Sequence, residues 1–196
     1  MDFLKSKTKE NLARAYAGEC QDGAFYQFIV KDCKQDYKFL SDMLKGIAKN
    51  EMAHAGMYYK TIVKLAKEQP INIDIAAGYT FAPYEFPASL EAALTVERNE
   101  AMKIYPEFAK IAREEGFPEA AEVFEAVSHD EQHHISILKQ VTEKIKKHQL
   151  YQSKTPVFWL CSNCAHHEYG KDAWKSCPSC GFPQGYVEIT LSDVVK

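Results

Sequence analysis

The chain has 196 residues, of which 46% are hydrophobic and 26% charged, with a formal net charge of −3. Such a chain can form one well-packed core and a small second unit, and its composition is that of an ordinary globular protein. The charge balance excludes a strongly basic surface for nucleic acid, no run approaches a membrane span, and the first residues carry no apolar secretory stretch, so we expect a cytoplasmic protein.

The first predicted element is a helix from Thr8 to Asp32, in which apolar residues recur every three or four positions. Glu19 and Tyr26 lie in this stripe, and a glutamate at the stripe's edge and a core tyrosine are the ordinary explanations. A second helix is predicted from Tyr37 to Lys67, because the pattern continues until Pro70 stops it.

Residues 69–87 contain three prolines and Gly78, and they show no helical run of useful length. Such a connection is too long for a turn between antiparallel neighbours. A ferritin-like four-helix bundle needs one long crossover between its second and third helices. Ile71, Ile73 and Ile75 alternate with polar residues, which indicates that part of this crossover is extended.

A third helix is predicted from Ala88 to Glu115, with Ser89 as a cap near its start. Pro106 inside this helix predicts a kink or the local loss of one hydrogen bond. Two glutamates, Glu97 and Glu100, fall on or beside its inward stripe.

A fourth helix is predicted from Pro118 to His148, with proline at a plausible first-turn position. Its stripe contains Glu131 and His134, and the stripe of the second helix contains Glu51 and His54 at the same spacing. Three helical residues turn through about 300°, so each glutamate shares one face with its histidine.

Seven polar side chains therefore occupy mid-helix positions on apolar stripes: Glu19, Glu51, His54, Glu97, Glu100, Glu131 and His134. Isolated buried charges are costly, so five buried carboxylates require cations. Two divalent ions leave the cluster nearly neutral, and carboxylates with one imidazole per ion suit iron or manganese. The set matches the pattern of di-iron and di-manganese carboxylate bundles; the alternative is a collection of unrelated, satisfied core polar groups.

The last forty or so residues follow a predicted linker at 151–156 and lose the helical pattern. Two CxxC pairs, Cys161 with Cys164 and Cys177 with Cys180, favour a bound metal over disulfides in a chain without an export signal. Four thiolates accept iron or zinc, so a structural zinc ribbon stays open. An aromatic shell would favour iron, and six aromatic residues crowd this segment: Phe158, Trp159, Tyr169, Trp174, Phe182 and Tyr186.

A carboxylate bundle followed by two CxxC pairs resembles the rubrerythrins, and the resemblance covers nearly the whole chain. It is carried by Ala17-Gly18-Glu19, by residues 105–109 (Tyr-Pro-Glu-Phe-Ala), by 111–117 (Ile-Ala-Arg-Glu-Glu-Gly-Phe) and by 131–134 (Glu-Gln-His-His). The resemblance implies a mainly α fold with two parts. A ferritin-like four-helix bundle with one long crossover would span residues 1–150, and a rubredoxin-like metal-bound domain would span 156–196.

The same resemblance implies a role for each member of the seven-residue set. Glu51 and Glu131 would bridge two irons that are oxo-bridged when oxidised. Glu19 would bind the first iron, and Glu97 with His134 the second. The four cysteines would bind one rubredoxin-type iron, for which zinc can substitute.

The resemblance also implies an exchange of ligands at the first iron. Glu100 would bind it in the oxidised state, and His54 would take its place on reduction. Tyr26 and Tyr105 fall where the family keeps tyrosines near the site, either as hydrogen-bond partners of ligand carboxylates or as core residues. With Glu97, these four are the candidate catalytic residues.

The activity that the resemblance implies is the reduction of hydrogen peroxide to water in defence against oxidative stress. Electrons would come from a rubredoxin or a flavin reductase that uses NAD(P)H, and would pass one at a time through the cysteine-bound iron. A homodimer would bring the tail of one chain to the bundle of the other. The alternatives are a ferroxidase or iron-handling protein, and a zinc-ribbon binding module on an inert bundle.

One position departs from the family pattern in the first cysteine knuckle. The family usually has glycine after the second cysteine, where this chain has Ala165. Glycine relieves a positive φ at such a turn, so we expect alanine to strain the loop and to shift the redox potential.

Overall fold

The computed structural model describes residues 1–33 and 35–192, so residues 193–196 of the predicted tail domain lie outside the described part. The mainly helical, ferritin-like fold is confirmed. The regular elements are α1 (Lys7–Asp32), α2 (Lys38–Leu65), α3 (Ser89–Asn99), α4 (Tyr105–Glu114), α5 (Pro118–Lys146), β1 (Gln152–Leu160) and β2 (His167–Asp172).

The first helix begins where the sequence predicts it, and its start is held by two side chains. The Ser6 hydroxyl accepts a hydrogen bond from the backbone N–H of Lys9. The Glu115 carboxylate, at the end of α4, accepts from the backbone N–H groups of Lys7 and Thr8 at 2.9 and 2.7 Å. These contacts satisfy donors that a helix N-terminus otherwise leaves unpaired.

The predicted third helix is continuous in direction but changes type in its middle. Glu100–Ile104 forms a π-helical segment, in which the Tyr105 N–H bonds to the carbonyl of Glu100, five residues back. Pro106 follows directly; it has no N–H and crowds the carbonyl four residues earlier, so the perturbation lies where the sequence predicts it. The predicted Ser89 cap is wrong, because Ala88 precedes the helix and the buried Ser89 hydroxyl has no partner among the described residues.

The crossover between α2 and α3 has no regular secondary structure over residues 69–85 and lies along α1. The Tyr79 hydroxyl donates to Asp22 Oδ1 at 2.7 Å, and the Phe86 N–H donates to Asp32 Oδ2 at 2.6 Å. Its three alternating isoleucines are each half-buried, as an extended strand over a helix surface predicts. The long crossover is therefore confirmed.

The interior of the bundle consists of two apolar clusters with a polar layer between them. One cluster gathers around Ile29, Leu44 and Leu138, and the other around Tyr58 and Phe124. On each of α1, α2 and α5, the buried acidic and histidine residues lie between a stretch that belongs to one cluster and a stretch that belongs to the other. Packed apolar layers on both sides keep water away from the polar layer.

The tail is a small antiparallel β1–β2 sheet packed against the bundle. Strand β1 begins at Gln152, inside the predicted linker at 151–156: Gln152 pairs with Asp172, and the register is irregular from there to Val157, so this stretch is an extended part of the tail and not a separate linker. The Tyr151 hydroxyl donates to the Asp36 carbonyl at 2.8 Å, and Ile189 packs into a bundle cluster. Among the helices that the structure describes, none combines the length and apolar character needed to cross a membrane.

Candidate metal centres

The seven side chains predicted from the helical stripes all lie in the polar layer of the bundle. None exposes more than 8% of its surface. They come from α1, α2, α5 and the third helix: Glu19, Glu51, His54, Glu97, Glu100, Glu131 and His134.

The imidazole of His134 faces three carboxylates with a single atom. Its Nδ1 lies 2.6 Å from Glu131 Oε2, 3.1 Å from Glu51 Oε1 and 3.4 Å from Glu97 Oε2. One ring nitrogen can donate only one hydrogen bond, so it cannot satisfy all three groups. One ligand atom from each of these four residues lies within 4.8 Å of the others, which is the arrangement of a coordination shell.

The imidazole of His54 does the same on the other side of the layer. Its Nδ1 lies 2.9 Å from Glu131 Oε1, 3.3 Å from Glu51 Oε2 and 3.3 Å from Glu19 Oε2. These four residues also converge within 4.8 Å. Two such groups therefore lie side by side inside the bundle.

Glu51 and Glu131 belong to both groups, and each divides its two oxygens between them. Oε2 of Glu51 and Oε1 of Glu131 face His54, whereas their other oxygens face His134. A carboxylate placed in this way can bind one ion through each oxygen. The donor set, hard oxygens with one imidazole on each side, suits a pair of iron ions.

Glu100 is buried but lies outside both groups of four, at the first position of the π segment. Its Oε1 is 3.3 Å from the Tyr105 hydroxyl, which also donates to Glu19. The Tyr26 hydroxyl donates to Glu97. The structure thus places both predicted tyrosines against carboxylates of the set.

The metal-free bundle holds protons that cations must displace. Burial raises the pKa of Glu19, Glu97 and Glu100 well above the usual range. Burial acts to lower the pKa of His54, but contacts with Glu131 and two further glutamates raise it to about 12. Burial likewise acts to raise the pKa of Glu131, but its imidazole partners hold it below the usual value. Metal binding at such a site releases protons and is favoured by higher pH.

The outward nitrogens of the two histidines face residues that the sequence patterns had not singled out. Asn50 Nδ2 lies 3.3 Å from His134 Nε2, and Asp130 Oδ2 lies 3.8 Å from His54 Nε2. A metal-bound imidazole donates its second N–H to an acceptor, which Asn50 supplies once its amide is turned over. The sequence does contain a feature by which they could have been found, because each of these residues directly precedes the glutamate of an ExxH pair.

The four cysteines of the tail converge in the geometry of a tetrahedral metal site. The Sγ atoms of Cys161 and Cys180 are 3.9 Å apart, and those of Cys164 and Cys177 are 3.7 Å apart. A tetrahedral ion with metal–sulfur bonds of about 2.3 Å requires sulfur–sulfur distances of about 3.8 Å. The backbone N–H of Phe182 lowers the pKa of Cys180 to about 6. The backbone N–H of His166 acts to lower the pKa of Cys164, but burial and the other three cysteines raise it to about 12, so a single thiolate is favoured until a cation binds.

The aromatic shell of the tail is thinner than predicted. Trp159 is 4% exposed and packs with Ala173 and Val187. Phe158 and Tyr169 face each other across the sheet and are 52% and 75% exposed. Side chains alternate between the faces of a strand, and only one face of this two-stranded sheet covers the core, so Phe158 and its cross-strand neighbour Tyr169 point outward while Trp159 points inward.

A bundle with two adjoining carboxylate–imidazole groups, followed by a tetrahedral cysteine site, defines the class of non-haem di-iron proteins that carry a rubredoxin-type iron. A family model described as Rubrerythrin matches residues 10–142 and 88–157. The chain belongs to the rubrerythrin family. The bundle therefore fits two irons and the cysteines one more.

Two relatives and one solved structure illustrate this membership. The chain is 32% identical over 191 residues to a rubrerythrin of Clostridium perfringens, covering 96% of this chain and 97% of the relative. It is 30% identical over 192 residues to a rubrerythrin of Nitratidesulfovibrio vulgaris, covering 96% and 97%. A structure of nigerythrin in a partially reduced state shares the fold, with a TM-score of 0.61, 24% identity and coverage of 97% and 94%.

The predicted strain in the first cysteine knuckle is present, since Ala165 has a φ of 60°. The left-handed conformation costs a residue with a Cβ roughly 1–2 kcal/mol, and glycine avoids this cost. We expect Ala165→Gly to stabilise the tail by about 0.5–1 kcal/mol, because greater backbone freedom in the unfolded chain offsets part of the gain. The measurement is the guanidinium midpoint for loss of the thiolate-to-iron absorption.

The matched control is Ala173→Gly, at a buried alanine of the same tail without a positive φ. This change should lower the midpoint, because it removes a core methyl group and adds backbone freedom. A lower midpoint for Ala165→Gly as well would contradict the assignment of strain to Ala165.

Proposed function

We propose that this protein reduces hydrogen peroxide to water at the di-iron site of its bundle and receives electrons through the cysteine-bound iron. Membership of a family of di-iron oxidoreductases supports the reaction class. The observation that carries the proposal is the division of the oxygens of Glu51 and Glu131 between two adjoining groups. These two carboxylates would hold a pair of cations side by side, as a two-electron reduction of one small oxidant requires.

In this proposal Glu51 and Glu131 would each hold both ions, Glu19 would hold the first, and Glu97 with His134 would hold the second. His54 and Glu100 would be alternative ligands of the first ion. His54 converges with Glu19, whereas Glu100 does not, and this supports the imidazole as a ligand of the first ion. Glu100 lies at the π segment, where a widened turn gives the backbone a second way to present its side chain.

When bound, the two ferrous ions supply the electron pair that breaks the O–O bond. The surrounding residues exclude water and hold the carboxylates in place. The Tyr26 hydroxyl fixes Glu97, and the Tyr105 hydroxyl fixes Glu19 while it lies 3.3 Å from Glu100 Oε1. Reduction of one peroxide to two waters takes up two protons, and the Tyr105 hydroxyl can donate to either of its two carboxylates as their charge changes.

The proposed electron supply extends beyond the chain. A rubredoxin, or a flavin reductase that uses NAD(P)H, would reduce the cysteine-bound iron twice for each peroxide. A homodimer would place the tail domain, residues 156–196, near the bundle, residues 1–150, of the partner. The four cysteines of the tail are arranged for a metal and are not joined in disulfides. Reduced thiols of this kind support a cytoplasmic location.

The test is anaerobic turnover of iron-loaded protein with NADH, a flavin reductase, rubredoxin and hydrogen peroxide. We expect one NADH to be consumed for each peroxide. Cys164→Ser removes a ligand of the tail iron and should abolish this turnover. The same variant, reduced in advance with dithionite, should still be oxidised by one addition of peroxide, because its bundle is intact.

Three results would contradict the proposal. Peroxide loss no faster than without protein would exclude the reaction. Accumulation of ferric mineral from ferrous iron and oxygen, without peroxide turnover, would favour the ferroxidase alternative. A colourless protein with zinc at the cysteines and no metal in the bundle would favour the binding module.

A further inference from the structure

A small cavity lies between α1, the crossover and the start of the π segment. Its volume is about 100 Å³. Residues 77–80 of the crossover form one wall, Arg14, Gly18 and Gln21 of α1 form another, and Glu100 lies at its inner side. The cavity thus leads from the surface of the bundle to a carboxylate of the di-iron site.

Two glycines line this cavity, one at each end. A Cβ at Gly18 would lie 3.4 Å from Glu100 Oε1, at the inner end. A Cβ at Gly78 would lie 4.0 Å from Arg14 Nη2, at the outer end, where φ is +68°. The Tyr79 hydroxyl fixes the crossover wall by its 2.7 Å hydrogen bond to Asp22, whose side chain is buried.

The cavity carries a donor and an acceptor that the protein leaves unused. Arg14 Nε and Gln21 Oε1 are both buried, and neither has a hydrogen-bond partner within the described part of the chain. Buried polar groups in folded proteins are nearly always paired with protein or with a small polar molecule, so these two atoms are open to such a molecule in the cavity. Hydrogen peroxide donates two hydrogen bonds and accepts at both oxygens, so it can accept from Arg14 Nε and donate to Gln21 Oε1 as it passes through the cavity.

We infer that this cavity is the access site through which the bundle takes up hydrogen peroxide, with Arg14 and Gln21 as its positioning residues and its size as a filter against aryl hydroperoxides. The inference rests on the proposed peroxidase function and names its substrate class. An engineered cavity of about 150 Å³ in another protein holds one benzene molecule, so a cavity of about two-thirds that size does not hold an aromatic hydroperoxide.

The first test removes the donor. Arg14→Met keeps an unbranched side chain over the Phe108 ring, which the Arg14 guanidinium contacts at 5.4 Å. Loss of a hydrogen bond from a charged group should raise KM for hydrogen peroxide about tenfold, with a smaller change in kcat. Azide, titrated into the oxidised protein and followed by its absorption band, should bind about tenfold more weakly for the same reason.

The matched control is Arg113→Met, which removes an exposed arginine that pairs with Glu125 outside the cavity. It should change neither quantity. An unchanged azide affinity and KM in Arg14→Met, or equal changes in the control, would overturn the role of Arg14.

The second test opens the wall. Wild-type protein should strongly prefer hydrogen peroxide to cumene hydroperoxide in kcat/KM, and Tyr79→Ala should reduce this preference at least about tenfold. Tyr79→Phe, which removes only the hydroxyl that bonds Asp22, should shift it in the same direction and keeps the ring in case the alanine variant does not fold. Tyr84→Ala, at a crossover tyrosine outside the cavity that packs on Phe28, is the control and should leave the preference unaltered.

Equal use of both hydroperoxides by the wild type, or an unaltered preference in both Tyr79 variants, would overturn the size filter. Failure of the proposed function is distinguishable, because it would appear as no consumption of any peroxide. The azide titration still measures the contribution of Arg14 to ligand binding in that case, so weaker azide binding in Arg14→Met would support the site and equal binding would reject it.

Discussion

Replacing Glu131 by glutamine should strip both irons from the bundle and leave the iron of the tail in place. Glu131 gives one oxygen to each of the two groups, so if it holds both ions, the neutral amide would weaken the binding of both and would remove one negative charge from the layer. Loss of a residue that only hydrogen-bonds to a metal ligand typically lowers metal affinity roughly 10–100-fold. Loss of a ligand shared by two ions should lower the affinity by more than that. Metal analysis after gel filtration should find the tail iron alone.

Glu122→Gln is the matched control, because Glu122 is an exposed glutamate on the same helix. This variant should keep the full iron content. Retention of both bundle irons in Glu131→Gln would mean that the shared carboxylate is not a ligand, and the proposed function would lose its main support.

Metal-free protein should lose stability as the pH rises from 5 to 9. A group whose pKa is higher in the folded than in the unfolded chain binds more protons when folded, so raising the pH costs stability. The pKa values of Glu19, Glu97 and Glu100 are raised by burial from an ordinary value of 4.5, so their contribution falls above that pH. The pKa of His54 is raised from 6.5 to about 12, so its contribution falls across the upper part of this range.

All these contributions have the same sign between pH 5 and pH 9. A pKa displaced by one unit is worth about 1.4 kcal/mol, and two such groups would lower Tm by roughly 5–10 °C in a protein of this size. Tm should be followed by the helical circular dichroism signal in the presence of a chelator, because that signal reports the bundle.

Iron-loaded protein is the first control, and it should instead lose stability as the pH falls, because protons compete with the ions for the same ligands. Glu97→Gln, which carries no titratable group at that position, should flatten the slope of the metal-free protein. A metal-free Tm that rises between pH 5 and pH 9 would show that the buried groups are not protonated as described.

The helices and the seven-residue set could be predicted from the sequence because both follow from helical periodicity. Glu51 with His54, and Glu131 with His134, share a face by spacing alone, and the stripe around each pair predicts burial. The convergence of Glu19 and Glu97 on them required only that four helices pack around one axis.

Other features could not be predicted, because they depend on packing between elements. The contact of Tyr79 with Asp22 exists only because the crossover lies along α1. The π segment depends on how Pro106 is accommodated, for which a kink and a widened turn are both possible. The exposure of Phe158 depends on which face of a short sheet covers the tail core, and the register of that sheet is not visible in a cysteine-rich segment.

The two carboxylates that belong to both histidine groups should make occupancy of the bundle close to all-or-none. A first ion would have to displace protons from the buried groups around it, and it would fix Glu51 and Glu131 from one side. The remaining oxygens of these two carboxylates would then already be oriented for a second ion, so binding of the first ion would favour binding of the second. Chains carrying a lone ion should therefore be scarce during titration, and a population of protein would divide into empty and doubly filled molecules.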